Sequence, residues 1–266
     1  TNKVDSSGVV ATDTAGVGTA RSGLAAAGYG SDKAIFGYGY DGSNISSLTN
    51  KVDSSGVVAT DTAGVGQTRD ALAAAGYGSD KAIFGFGNDG SSNVSMTNKV
   101  DSSGVVATDT TGVGAARAGV AAAGYGSDKA IFGFGYGAAF LSTTNKVDSS
   151  GVVATDTTGV GTIRNGLAAA RYGSNKAIFG YGNTGSASSL TNKVDSSGVV
   201  ATDTAGVGTA RAYLGAAGYG SDKAIFGYGA TGNSSLTNKV DSSGVVATDT
   251  AGVGTGRGFL AAAGYG

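Results

Sequence analysis

The phrase TNKVDSSGVVATDT begins at Thr1, Thr49, Thr97, Thr144, Thr191 and Thr237. The steps between copies are 48, 48, 47, 47 and 46 residues. A fixed period in the forties marks an array of one supersecondary unit and restricts the fold more than any other feature of the chain. A second stretch, Thr19–Gly39 (TARSGLAAAGYGSDKAIFGYG), returns from Gln67, Ala115, Thr162 and Thr209, and its first half returns from Thr255. In it two runs of small and apolar residues flank GYGSDK, the pattern of a β-hairpin. A helical repeat of this period would need Gly-free helices of about ten residues or more, and none is expected here. All 19 acidic residues are Asp, a turn residue, and there is no Glu to favour helix.

Four strands per repeat are expected. In the first they are Ser22–Gly28, Lys33–Tyr38, Ser47–Val52 and Val57–Thr62, separated by GYGSD, YDGSN and DSSG. Alternation along the second strand puts Ala34, Phe36 and Tyr38 on one face and Ile35 and Gly37 on the other. Both faces are mostly apolar, so the strand needs cover on both sides. Face-to-face stacking around an axis supplies it, and the Ala/Gly-rich first strand suits the crowded innermost place. The expected fold is all-β: a β-propeller of four-stranded blades, one domain over residues 1–266.

The first, third and fourth strands occur six times. The second occurs five times, with Phe36, Phe84, Phe132, Phe179 and Phe226. This count predicts six blades, the last shared by the N- and C-termini and lacking its second strand. The alternatives are five closed blades with roughly thirty residues over, a truncated longer chain, or a homo-oligomer or partner chain that supplies the missing strand. The chain starts in mid-repeat without Met, so a fragment or processed piece is expected.

Read from Arg21, the order is Arg, a small-residue strand, an aliphatic–aromatic strand ending in GYG, a loop, and a TNKVD strand. This resembles the kelch-type repeat, with Gly37–Gly39 in the place of its Gly doublet and Val52-Asp53 in that of its Tyr-Asp. The wording GVVATDTAGVGTAR…LAAAGYGSDKAIFGYG is also similar to repetitive proteins of tailed bacteriophages and marine viral sequences. The resemblance covers the whole chain. It implies kelch-like blades and a virion surface or tail-associated protein, virion-borne or extracellular, that contacts a cell-surface glycan or protein. Propellers serve many roles, so the site has to be argued from residues.

A net charge of −1 gives no electrostatic case for nucleic acid. No apolar run approaches the ~18 residues that cross a bilayer, so no membrane insertion is expected. Without His, Cys or Glu, triad and Cys–His chemistry is impossible, and no enzyme activity is expected. GxxxxGK[ST] is absent, which disfavours nucleotide. Each DSSG turn holds a single carboxylate, too few for a calcium cage and suited to an Asx-type turn, as is the Asp of GSD. No metal and no cofactor is expected.

Two sets of residues remain. Arg21, Arg69, Arg117, Arg164, Arg211 and Arg257 each follow, by eight residues, Asp13, Asp61, Asp109, Asp156, Asp203 and Asp249. They read either as a charged ring at a channel mouth or as structural Asp–Arg pairs at each blade junction, and the positioning power of such pairs favours the second. The other set lies where the repeats differ. The loops after the second strand read YDGSNISS, NDGSSNVS, YGAAFLST, NTGSASS and ATGNSS. The lead-in to strand one varies too, from Ser22-Gly23 and Asp70-Ala71 to Ala212-Tyr213 and Gly258-Phe259. In an antiparallel four-stranded blade both emerge on one side. The expected ligand face carries Tyr40, Asp41, Asn44, Asn88, Asp89, Tyr136, Phe140, Asn183 and Asn233. The alternative is drift in tolerant loops.

Overall fold

The computed structural model describes residues 1–265, and their regular structure is all β. Fifteen strands form five antiparallel three-stranded sheets. The first holds β1 (Ala25–Tyr29), β2 (Lys33–Gly37) and β3 (Thr49–Val52); the second β4 (Ala73–Tyr77), β5 (Lys81–Gly85) and β6 (Thr97–Val100). The third holds β7 (Ala121–Tyr125), β8 (Lys129–Tyr136) and β9 (Phe140–Val147); the fourth β10 (Ala168–Tyr172), β11 (Lys176–Gly180) and β12 (Thr191–Val194). β13 (Gly215–Tyr219), β14 (Lys223–Gly227) and β15 (Thr237–Val240) complete the set. One register recurs: Ala25 faces Gly37, Ala27 faces Ile35, Ala34 faces Val52 and Gly37 faces Thr49.

The sheets are three-stranded, and where a fourth strand is expected the chain returns along β3 as an irregular segment. Val58 bridges Val52 and Thr62 bridges Thr49, with Ala59 N–H donating to Lys51 O at 2.8 Å. Contact at two separated points leaves Val57 57 % exposed, so the segment clips to β3 without extending the sheet. The turn between them is the expected Asx type: Asp53 Oδ1 accepts the N–H groups of Ser55 and Val57, both at 2.9 Å. Asp32 of the GSD turn instead pairs with its neighbour Lys33 at 3.3 Å.

Two strand boundaries differ from expectation for one reason. Gly23 (φ 62°) turns the chain before strand one, which therefore starts at Ala25. Tyr38 (φ 66°) turns it after strand two. A left-handed aromatic is costly, yet Phe86, Phe134, Tyr181 and Tyr228 repeat it. The turn breaks alternation, so Tyr38 joins Ile35 rather than Phe36: Ile35 and Tyr38 pack together against Ala82 and Phe84 of the next sheet. Ile178 and Tyr181 meet Ala224 and Phe226 in the same way.

This packing depends on glycine at one place. A Cβ on Gly37 would lie 2.8 Å from Phe84 Cζ, and Gly85 and Gly133 stand in the same relation to Phe132 and Phe179. The rings interleave with 5.2 Å between centroids in the pairs Tyr38–Phe84, Phe86–Phe132, Phe134–Phe179 and Tyr181–Phe226.

The copies also close on themselves through backbone. Ala71 N–H donates to Gly23 O, Gly119 to Ala71 O, Gly166 to Gly119 O, Tyr213 to Gly166 O, Phe259 to Tyr213 O, and Gly23 to Phe259 O, at 2.6–2.9 Å. This six-membered cycle joins residues 23 and 259. A second cycle runs through lysine: Lys51 Nζ donates to Ser103 O and so on round to Lys239 with Ser7 O and Lys3 with Ser55 O.

Gly85→Val drives a side chain into Phe132 and should lower stability by about 1–3 kcal/mol. Chemical denaturation checks this, and an unchanged midpoint would contradict the ring-on-glycine packing.

Candidate functional site

The arginines sit inside the fold. Arg69, Arg117, Arg164 and Arg211 are fully buried. Arg21 shows the arrangement: Nη1 donates to Tyr38 O at 3.0 Å and Leu48 O at 2.5 Å, and Nη2 donates to Asn50 Oδ1. Asn50 Nδ2 passes the contact on to Asp61 Oδ1 at 2.8 Å. Asp61 Oδ2 then accepts the N–H and the hydroxyl of Thr19, at 2.9 and 2.7 Å. Five of the six guanidinium groups, those of Arg69, Arg117, Arg164, Arg211 and Arg257, also lie over an aromatic of the preceding sheet, as Arg69 does over Tyr38 (4.7 Å) and Arg117 over Phe86 (4.3 Å).

The structure thus brings the Asp and Arg sets together, but across repeats. Arg21 meets Asp61 (4.0 Å), Arg117 meets Asp156 (3.6 Å), Arg164 meets Asp203 (3.9 Å) and Arg257 meets Asp13 (3.1 Å). Arg69 and Arg211 reach Asp109 and Asp249 through Asn98 and Asn238. Sequence reasoning missed the asparagine. Its signal was an amide in the middle of every TNKV strand, where an unpaired polar group would be costly. The last link spans the termini: Arg257 donates to Asn2, and Thr255 N–H to Asp13 Oδ2 at 2.9 Å.

Burial pushes Arg117 down to about 10, against the pull of Asp156. Arg21 and Arg164 are lowered by burial as well, opposed by Asp61 and Asp203. The hydroxyl of Thr19 and then the Asn50 amide hold Asp61 below the ordinary carboxylate range. For Asp203 and Asp249 burial works upward, and hydrogen bonds from Thr162, Thr209 and the asparagines outweigh it.

The variable segments share one face. Bridges join Ser22 to Tyr40, Asp70 to Asn88, Ala118 to Tyr136 and Asn165 to Asn183, so each loop base pairs with a lead-in beside the backbone cycle. Many of the expected polar groups there are spent inside the loops. Asp41 Oδ1 accepts the N–H groups of Ser43 and Asn44 (2.8 and 2.7 Å), and the amide of Asn44, then that of Ser43, lowers its pKa. Asp89 does the same with Ser91 and Ser92 and takes Gln67 Nε2 at 2.7 Å. Asn88 Oδ1 accepts Gly90 N–H at 2.8 Å, and Asn183 Oδ1 accepts Gly185 N–H at 2.9 Å. Asn44 and Asn233 are exposed, the latter at φ 47°.

Aromatic surface remains open on this face. Tyr40 is 39 % and Tyr136 44 % exposed, and Tyr136 meets Phe140 edge-on at 5.6 Å. The apolar YGAAFLS loop lets β8 and β9 continue to that pair, past a bulge at Gly133/Gly135. Tyr213 and Phe259, which belong to the backbone cycle, stack at 4.3 Å. They were legible only as the last two variants of the lead-in. No protein-family model matches the chain, and no curated protein matches it.

Three outcomes follow from this geometry. Asn145→Ala leaves the buried Arg117 short of an acceptor and should cost about 1–3 kcal/mol in denaturant unfolding. The lowered Asp61, Asp203 and Asp249 add stability above the unfolded carboxylate value of about 3.9, and it is lost as pH falls through their folded values. The thermal midpoint should therefore drop steadily below about pH 4. Asp70 is the reverse case, raised by burial, so ionisation at its site costs stability as pH rises. Asp70→Asn, which installs the residue type of Asn165, should gain about 1 kcal/mol or less at pH 7 and nothing near pH 3.

Proposed function

We propose that this chain is a non-enzymatic, kelch-like β-propeller of six four-stranded blades, the sixth shared by the termini, that binds through its variable-loop face. The closed backbone cycle and the segment clipped to each β3-type strand support the blade reading. One observation carries the binding reading: the two stretches in which the repeats differ are bridged to each other, while the turns at the other strand ends barely vary. Divergence confined to one surface, on an otherwise copied scaffold, suits a binding face.

Cell-surface glycan is the partner class this face fits best. Tyr40, Tyr136, Phe140 and Phe259 offer flat aromatic surface for stacking, and Asn44 and Asn233 offer amides nearby. With the viral resemblance, the chain would serve on a virion surface or tail. A purely structural or scaffold role is the second reading. It is favoured by Asp41, Asp89, Asn88 and Asn183, whose side chains hold their own loops. A glycan array separates the two. A restricted set of bound glycans, with Tyr136→Ala weakening them roughly tenfold, is the expected result. A blank array from folded protein would overturn the glycan reading and favour the structural one.

A further inference from the structure

Residues Leu260–Tyr265 repeat the sequence of strand one, and Thr1–Val4 repeat that of β3. The first lies between β13 and β1: a Cβ on Gly28 would sit 3.2 Å from Gly264 O, and one on Gly264 would sit 3.3 Å from Gly218 O. The second keeps its clip, with Val4 bridging Val10. In the other five units a KAIFG strand runs between these two partners. Here a groove separates them, and a cavity of about 1070 Å³ runs from it towards the axis, lined by Thr1, Val4, Phe36, Gly227, Tyr228 and Ala262 among others.

The groove walls are shaped for one sequence. Gly37, Gly85, Gly133 and Gly180 each seat a phenyl ring of the following unit within 2.8 Å of where a Cβ would be. At Gly227 the same position meets only Thr237 Cγ2, at 3.4 Å. Phe84, Phe132, Phe179 and Phe226 are fully buried, whereas Phe36 is partly exposed. Five arginines stack on an aromatic; among the described residues Arg21 has none beneath it. An inserted Phe would rest on Gly227 beside Tyr228. The Gly after it would admit the ring of Phe36, and the aromatic after that would lie under Arg21.

We propose that this groove binds an extended peptide strand of sequence Lys-Ala-Ile-Phe-Gly-Tyr, the strand that fills the corresponding place in the other five units. The occupied units fix its register. The Gly would face Ala261 and Thr1, the Phe would face Ala262 and Asn2, the Ile would face Ala263 and Lys3, and the Ala would face Gly264 and Val4. Backbone pairing to both edges supplies affinity, and the phenyl seat supplies selectivity. A folded second copy is a poor donor, because its own KAIFG strands are central in their sheets.

The test uses the full chain and the labelled peptide SDKAIFGYG, read by fluorescence anisotropy, with light scattering for oligomeric state. Saturable one-to-one binding to a monomer is expected. The peptide with Ala in place of Phe should bind roughly a hundredfold more weakly or not at all. Gly227 has room for a side chain, so Gly227→Val should keep its thermal midpoint and lose the peptide. No binding of the parent peptide, or binding unmoved by the Phe replacement, would overturn the proposal. So would a dimer whose groove is closed to peptide, since a second copy would then be the occupant. If Gly227→Val unfolds, the two peptides alone decide.

Discussion

A buried guanidinium sets the terms of this fold. Desolvating Arg69, Arg117, Arg164 or Arg211 without partners would cost several kcal/mol each. No single repeat provides all the partners. Carbonyls after strand two and the TNKV asparagine come from the sheet that follows the arginine. The aromatic face comes from the sheet before, and the aspartate that orients the asparagine is held by a backbone N–H of the preceding linker, from Gln67, Ala115, Thr162 or Thr209. The strained aromatic after strand two belongs to the same arrangement. Its carbonyl accepts from one arginine, as Tyr38 O does from Arg21, while its ring lies under the next, Arg69. Each repeat is thus incomplete alone, and near-identical copies satisfy one another because each offers what its neighbour lacks.

Such reciprocity leaves two open ends unless the array returns on itself. Three sets of contacts do return: the backbone cycle through Gly23 and Phe259, the lysine bonds through Lys239 and Ser7, and the aspartate bonds through Asp13 and Thr255. The backbone cycle has the firmest consequence for sequence. Its six members all have φ between 50° and 63°, a region that glycine occupies freely, yet Ala71, Tyr213 and Phe259 stand there beside Gly23, Gly119 and Gly166. The three side chains add bulk at the axis on the face that also carries the variable loops. Scaffold and proposed binding surface meet at these positions.

Much of the architecture was legible. The period, the hairpin about GYGSDK and the DSSG turns depend on local chemistry, so β1, β2 and the Asp53 turn lie close to where the residues put them. What failed to show depended on neighbours. Tyr38 reads as the end of an alternating strand, and only its left-handed turn under Arg69 moves it to the Ile35 face. Arg21 and Asp13 are eight residues apart in sequence, yet the partner of Arg21 is Asp61, because the linker crosses to the next sheet. The fourth segment has strand composition, but its backbone bridges β3 only at Val58 and Thr62, with the Asn50 side chain spanning the gap to Ala59 and Asp61. On the variable face, Tyr40 and Tyr136 stay available, while Asp41 and Asp89 had the composition of ligand contacts and turned out to hold turns.

Closure across the termini is the claim on which the buried arginines, the groove and the shared face all rest. Amide hydrogen exchange, resolved residue by residue by NMR, tests it most directly. Gly23, Ala71, Gly119, Gly166, Tyr213 and Phe259 should exchange slowly and with similar protection, because each N–H serves the same cycle. Free exchange at Gly23, whose acceptor is Phe259 O, with protection kept at Gly119 and Gly166, would mean that the array stays open and would contradict the account.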